Sequence, residues 1–482
     1  MKIDLEFMIM RYNMNESLIA SGTLKFKQIY YSLLDKMLAS EVSRSSALNS
    51  LLSHFNSYID KNIDISKTYK LLKKVEHKKI GFLHYKKQNY KYLFIIELLY
   101  FKYLVTHKFD TQNLELYNRH LKFNKKEFQF LLNYLRLLTS FRFKDAEQIL
   151  YNCGNKKIIA SLSNFHNHVS KNYEYASLKK HNIVICATMS AGKSTFVNAL
   201  LGNDYIPSKN QACTSKITSI ADNDNISYII GCKEFLDAPN SYCVDINQDL
   251  LCDWNNDNNI NTIYLESNLE GIRSTDGVAV ITDTPGTNYS GDITHADVTM
   301  NYLKNNSVEL LIYIINATQT STTDNQLLLQ EIKSEVLDKK NSQILFLINK
   351  IDSFDVEAND DITSCIKGVE NELIDLGYVN PTIIPISANA ARLFKMVMKN
   401  DNLTKKEVSD FKYLFDLFYT DNFDLTQFTT YSNVECEHTL NEDEYEVTNM
   451  KIPHIQLQKA LFNTAIPLVE KIIDNKINLE EK

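Results

Sequence analysis

The residues with the most chemistry in this chain stand at the ends of four apolar runs. After Asn182-Ile183-Val184-Ile185-Cys186 comes the loop Ala187-Thr188-Met189-Ser190-Ala191-Gly192-Lys193-Ser194, and Thr195 to Leu201 follows as a helix-forming stretch. A strand, a small-residue loop and a helix in that order can hold an anion. Backbone N–H groups and the positive helix end converge on it, and Lys193 adds a point charge. Ser194 would offer its hydroxyl to Mg²⁺. The first position of the G-x-x-x-x-G-K-[ST] pattern is Ala187 instead of glycine, so the match is one residue short.

The second run, Gly277 to Thr282, ends in Asp283-Thr284-Pro285-Gly286. It would deliver an acid to the hydration shell of a metal, and the Gly286 N–H to a terminal phosphate. The third, Ile344 to Ile348, ends in Asn349-Lys350-Ile351-Asp352. A carboxylate there accepts from N1–H and N2–H₂ of guanine, a pair of donors adenine lacks, so Asp352 argues for GTP over ATP. The fourth, Thr382 to Ile386, precedes Ser387-Ala388-Asn389, where backbone N–H groups would meet the guanine O6. Singly these are turns. Together, in this order and at strand ends, they predict a guanine-nucleotide site, with GTP or GDP and Mg²⁺ as its ligands.

Met189 to Thr195, the following Asn198-Ala199-Leu200-Leu201-Gly202, Pro207, Ala212-Cys213-Thr214, Asp283 to Gly286, and Asn316-Ala317-Thr318-Gln319 with Thr323-Asp324 resemble the dynamin-like large GTPases of bacteria. The resemblance covers about residues 181 to 478 and leaves out the first 180. It implies that Thr214 is the switch threonine that ligates Mg²⁺ and senses the γ phosphate, with Thr218 a competing candidate. It implies catalytic roles for Ser190, Lys193 and Thr214, and metal ligation by Ser194, Thr214 and Asp283. Nucleotide contacts would come from Met189, Ser190, Ala191, Gly192, Lys193, Ser194 and Thr195, from Gly286, from Asn349, Lys350 and Asp352, and from Ser387, Ala388 and Asn389. Eukaryotic dynamins carry glutamine where Met189 stands, and a thioether cannot usefully orient a water. Hydrolysis depends on an in-line water and on compensation of developing charge, so slow intrinsic turnover is expected. Rescue would come from a backbone carbonyl, from Thr214, or from a second G domain facing the first, as the resemblance implies.

The elements that must position these residues read as an α/β P-loop GTPase domain, a mostly parallel sheet with helices on both faces. It is expected over 179–478, with insertions at about 222–260, rich in Asn and Asp and carrying Trp254, and at about 398–450, with the acidic run Glu435 to Glu446. A basic α-helical domain is expected over 1–178. A chain of 482 residues is too long for one core, and 44% apolar with 23% charged residues is the composition of a folded protein. Scarce glycine and proline, 12 and 7, favour helix. Helical spacing runs over Leu18 to Leu38, Leu51 to Ile59, Tyr90 to Val105, Lys125 to Ser140 and Lys144 to Cys153. Asn124 is placed to cap the run from Lys125, with Glu127 in its first turn. No fixed internal period appears, so an irregular bundle is expected rather than a solenoid. Ile466 to Ile473 resembles the helix that closes a GTPase domain.

Eight scattered cysteines without a C-x-x-C argue against a metal cluster or a disulfide framework. The start carries Asp4 and Glu6 where a secretory signal needs an apolar stretch, and the greasiest segment, Tyr92 to Val105, is broken by Glu97 and Lys102. A cytoplasmic protein is expected. The net charge of −7 hides a division. Residues 1–180 hold 30 basic and 15 acidic residues, and the remainder 22 and 44. Nine lysines lie between Lys67 and Lys91, interleaved with Tyr69, Phe82, Tyr85 and Tyr90. Such a surface suits an anionic membrane, a partner protein or a nucleic-acid backbone, or is simply a solvated face or one that docks on the acidic half. Lysine's excess over arginine weakens base readout and makes nucleic acid the least favoured partner.

Full dynamins continue after the G domain into a stalk, whereas this sequence stops at Lys482. Three readings stay open. One is a Mg²⁺-dependent GTPase whose G domains pair as a homodimer and move the helical domain, at a membrane in one version. Another is a GTP-gated protein-binding switch with slow or no hydrolysis. The third is a nucleic-acid-associated GTPase.

Overall fold

Runs of valine, isoleucine and leucine too short for helices and flanked by polar turns build the central sheet of this protein. A computed structural model describes residues 4–12, 24–59, 90–109, 111–207, 216–286, 293–338, 342–354, 361–419, 423–431, 443–447 and 450–478. The strands are β1 (Lys179–Cys186), β2 (Ile217–Asp222), β3 (Ile230–Phe235), β4 (Ser241–Val244), β5 (Ile260–Ser267), β6 (Gly277–Asp283), β7 (Leu310–Asn316), β8 (Gln343–Asn349) and β9 (Ile383–Ile386). They form one nine-stranded sheet in the order β4-β3-β5-β2-β6-β1-β7-β8-β9. β1 runs parallel to both β6 and β7, β7 to β8, β8 to β9 and β2 to β5, while β2 meets β6 antiparallel. Every residue of β7 is buried. Alternate side chains of a strand point to opposite faces, so both faces of the sheet are covered, which is why β7 reads as an unbroken apolar run. The fold is α/β, a mostly parallel sheet preceded along the chain by a helical region.

The chain divides into two units. One comprises Met1–Leu178 with Tyr228–Cys232 and Ser241–Asp245, and the other comprises Lys179–Ser227, Lys233–Asn240 and Ile246–Lys482. The insertion expected to decorate the G domain at 222–260 is therefore shared. Within the first unit the Tyr228 hydroxyl donates to the Met10 carbonyl, and Ser46 and Ser50 hydroxyls accept from the Tyr242 and Val244 amides. The rings of Phe7 and Tyr242 meet edge to face. These contacts explain why two pieces of an Asn-rich insertion group with the helices.

The first unit is helical, as its spacing predicts. Leu24–Met37, Ser46–Ile59, Lys91–Thr106, Lys125–Thr139 and Phe143–Asn152 fall on the expected runs. Asn124 caps the fourth of these in a capping box with Glu127. Lys91–Thr106 is buried on nearly every face, as a helix apolar all round must be. Its one acid, Glu97, is fully buried and accepts from the Tyr12 and Tyr30 hydroxyls at 2.6 Å each. Lys156–Ser177, the longest helix described, was not expected. No helix among the described residues is long and apolar enough to cross a membrane. Most of the lysine-rich stretch from Lys67 lies outside the described residues.

Candidate functional site

The sheet delivers all four motif ends to one edge of the second unit. β1 passes into the loop 187–192, where Ser190 takes a left-handed φ of 61° and Gly192 one of 95°. Glycine adopts such a backbone without strain; a serine there is uncommon. The helix Lys193–Leu201 begins at Gly192 with no side-chain cap. Its first turn therefore has no side-chain acceptor at the cap.

Two buried contacts fix this loop. The Asn349 side-chain amide donates to the Ala191 carbonyl at 3.0 Å, and its oxygen accepts the Ala388 N–H at 3.1 Å. One residue, itself 2% exposed, thus ties the phosphate-loop candidate to the Ser387–Asn389 turn. A Cβ at Gly192 would lie 2.3 Å from Asn349 Nδ2, so that glycine is required for the tie as well as for its φ.

Lys193 is 8% exposed, and its ammonium makes no hydrogen bond or ion pair among the described residues. Burial pushes its pKa down, against the attraction of Asp283 and, less, of Cys186. Asp283 ends β6 fully buried. The next residue holds it there, because the Thr284 hydroxyl donates to the Ile185 carbonyl at 2.8 Å and so locks the end of β6 to the end of β1. The Thr299 hydroxyl donates to the Pro285 carbonyl at 3.0 Å. Gly286 follows so closely that an added Cβ would lie 3.1 Å from Lys193 Nζ and 3.4 Å from Met189 Cγ. Met189, Lys193 and Gly286 therefore meet. Ser194 and Asp283 would offer oxygen donors, a hydroxyl and a carboxylate, of the kind Mg²⁺ prefers. The residues fit that ion.

The opposite end of the site is built around Asp352, in the short 3₁₀ turn Ile351–Ser353. The Ser387 hydroxyl donates to its carboxylate at 2.6 Å, and the same oxygen caps the helix Ala388–Met398 by accepting the Ala390 N–H. Burial raises the Asp352 pKa; the Ser387 bond and nearby Lys350 oppose it. A half-buried carboxylate with acceptor capacity left over suits a ligand that brings two adjacent N–H groups. Lys350 sits beside it with φ 69°, and Asn389 accepts from Arg392 at 3.2 Å.

Thr214 lies outside the described residues. Its competitor Thr218 is 4% exposed within β2, in register with Asp283 across the antiparallel pair. The segment that leads toward Thr214 is pinned by Asn198, fully buried, whose amide donates to Asp204 Oδ1 and the Ile206 carbonyl and whose oxygen accepts the Tyr205 and Ile206 amides. Sequence reasoning gave no role to Asn198 or Thr284 and missed the Asn349 tie. The one readable signal was a lone asparagine inside the apolar run Phe196 to Leu201.

The model of the Dynamin family matches residues 183–351. No curated protein matches the chain. Among solved structures, it is similar to a chain of an oligomerised bacterial dynamin pair, described as a mechanism for long-range sensing and tethering of membranes. There the identity is 18% and the TM-score 0.37, over 72% of this chain and 57% of that one. It is also similar to the FeoB G-domain from Methanococcus jannaschii, with 17% identity, TM-score 0.22 and coverage of 44% and 88%. A third likeness is to Aquifex aeolicus Era bound to GDP and AlF₄⁻, with 16% identity, TM-score 0.26 and coverage of 47% and 59%. The chain spans little more than half the length of the bacterial dynamin. The family match runs from β1 through the loop and the Asp283 strand end to Ile351, one residue short of Asp352, and on it the chain contains a dynamin-family G domain.

Proposed function

We propose that this chain binds GTP with Mg²⁺ and hydrolyses it slowly on its own, with pairing of two G domains raising the rate. The observation that carries the reading is Lys193, a buried ammonium without a hydrogen-bonding partner among the described residues, at the start of an uncapped helix. A buried cation left in that condition is costly, and a β/γ phosphate pair restores both its hydrogen bonds and its charge balance. Ser190 to Ser194 present backbone N–H groups to the same phosphates. Ser194, Asp283 and Thr214 would hold Mg²⁺, which when bound neutralises charge on the phosphates. Asp352, steadied by Ser387, reads N1–H and N2–H₂ of guanine, and Lys350, Ala388 and Asn389 complete the base-facing rim.

Met189 supports the slow rate. Its side chain stands 40% exposed beside Gly286 and Lys193, where a water-orienting group would act, and it has no polar atom suited to that task. The same residue favours a second reading, a switch that holds GTP and gates a partner protein with little turnover. Attachment to an anionic membrane through the helical domain is a further part of this proposal and rests on the basic charge of the first 180 residues.

Titration with fluorescent non-hydrolysable analogues tests the binding claim. The guanine analogue is expected to bind at least about 100-fold tighter than the adenine one, since a carboxylate covered by a bound base but left without its donors costs roughly 3 kcal/mol. Equal affinity for the two, or binding unchanged in Lys193→Ala, would overturn it.

A further inference from the structure

A cavity of about 780 Å³ lies in the helical unit, far along the chain from the nucleotide motifs and used by nothing described above. Two helices begin at it. Asn124 and Asn155, the caps of Lys125–Thr139 and Lys156–Ser177, both line it, as do Lys122, Lys126, Lys156 and Lys157.

This arrangement runs against helix electrostatics. The amino end of a helix carries partial positive charge and favours acids, by about 0.3–1 kcal/mol per residue. Lys125, Lys126, Lys156 and Lys157 instead crowd the first turns of both helices, and the second of these has no acid in its first turn. The one carboxylate lining the cavity, Glu127, is already committed. It accepts from the Tyr92 hydroxyl at 2.5 Å and from the Asn124 amide at 3.0 Å, and pairs with buried Lys91 at 3.6 Å. Lys122, Lys126, Lys156 and Lys157 have no ion pair among the described residues. Like-charge repulsion is felt inside the cluster, since Lys157 adds to burial in lowering the Lys91 pKa. The backbone turns into the second helix through Gly154, at φ 65° with no atom within 4 Å of an added Cβ, so the mouth is open there.

We infer that this cavity binds a small, multiply charged phosphate-bearing molecule, whose anionic oxygens bridge Lys122, Lys126, Lys156 and Lys157 at the positive ends of the two helices. Phe130 and Tyr92 line the remaining wall and leave room for an organic body on the phosphates. The ligand is either a free polyphosphate or the phosphorylated headgroup of a lipid, and its recognition is the same in both cases.

The test uses the full chain saturated with GDP. It is titrated with sodium tripolyphosphate and with a soluble inositol trisphosphate headgroup, and co-sedimented with phosphatidylcholine vesicles with and without phosphatidylinositol bisphosphate. Lys126→Glu/Lys156→Glu is compared with Lys144→Glu/Lys171→Glu, which changes charge equally on exposed positions of the same unit that do not line the cavity. Saturable binding that falls about tenfold in the first pair and is unchanged in the second supports the site. Binding of the soluble probes then identifies a free ligand, and binding to the phosphoinositide vesicles alone identifies a lipid. Glutamate suits a helix amino end, so the first pair is expected to fold with undiminished thermal stability, and Lys126→Gln/Lys156→Gln should give a smaller loss in the same direction. Absence of saturable binding to every probe, or equal weakening by both charge-reversal pairs, overturns the proposal.

Discussion

Replacing Asn349 by alanine should break the site from behind. The side chain makes two buried hydrogen bonds, to the Ala191 carbonyl and from the Ala388 N–H, and alanine leaves both backbone groups without that partner. Each buried group so stranded costs about 1–3 kcal/mol, so a loss of roughly 2–6 kcal/mol is expected if neighbouring backbone does not re-pair. Trp254 is the only tryptophan, is 4% exposed and belongs to the same unit as the site, so tryptophan fluorescence in urea reports this unit's unfolding. With an m-value of about 3 kcal/mol/M, the midpoint should fall by about 0.7–2 M. Asn389→Ala is the comparison, because that side chain is partly exposed and among the described residues hydrogen-bonds only Arg392; its midpoint should shift by less than about 0.3 M. Guanine nucleotide should also bind Asn349→Ala more weakly, because the loop 187–192 loses its anchor. If the two variants unfold together, Asn349 is not the tie described here and the reasoning fails.

Gly192→Ala puts a Cβ against Asn349 at φ 95° and should abolish nucleotide binding, whereas Gly368→Ala, in a helix with nothing near the added carbon, should stabilise by about 0.5–1 kcal/mol; a titration and a melting curve of each decide this. Ser387→Ala removes a helix cap and the hydrogen bond that opposes the rise in the Asp352 pKa. It should cost about 1–2 kcal/mol, and a series of Kd values against pH should show guanine affinity failing at a higher pH than in the parent, since the protonated acid no longer accepts two N–H groups. Burial raises the Glu97 pKa from 4.5 to about 7. The folded state then holds a proton that the unfolded state has lost, so this group lowers stability progressively from pH 4.5 to 7, by a few kcal/mol in order of magnitude, and no further above that. Protection factors of the helix Lys91–Thr106, corrected for the base-catalysed intrinsic exchange rate, should fall across that window in the parent and not in Glu97→Gln; an equal slope in both assigns the effect elsewhere.

What could be read in the sequence followed local rules. β1, β6, β8 and β9 were legible because each is an apolar run stopped by a polar motif, and the Asn124–Glu127 capping box because it closes within four residues. The helix Lys156–Ser177 was not legible because its buried face carries His166, His168 and Asn172. Those histidines are acceptable inside because Tyr134 meets His166 and the Arg11 carbonyl meets His168, and partners distant in sequence leave no periodic trace. The same holds for the site. Motif spacing named residues that the sheet then gathers, but the Asn349 and Thr284 bonds join strands more than 90 residues apart, and the division of 222–260 between the units depends on hydroxyls from Ser46 and Ser50.

GTP hydrolysis measured against protein concentration, with and without Mg²⁺ and with Lys193→Ala as the blank, decides whether paired G domains hydrolyse GTP. The account predicts a Mg²⁺-dependent rate per molecule that is low when dilute, climbs as G domains pair, and vanishes in Lys193→Ala. A rate that survives in Lys193→Ala, or the absence of any turnover at every concentration despite bound GTP, contradicts it.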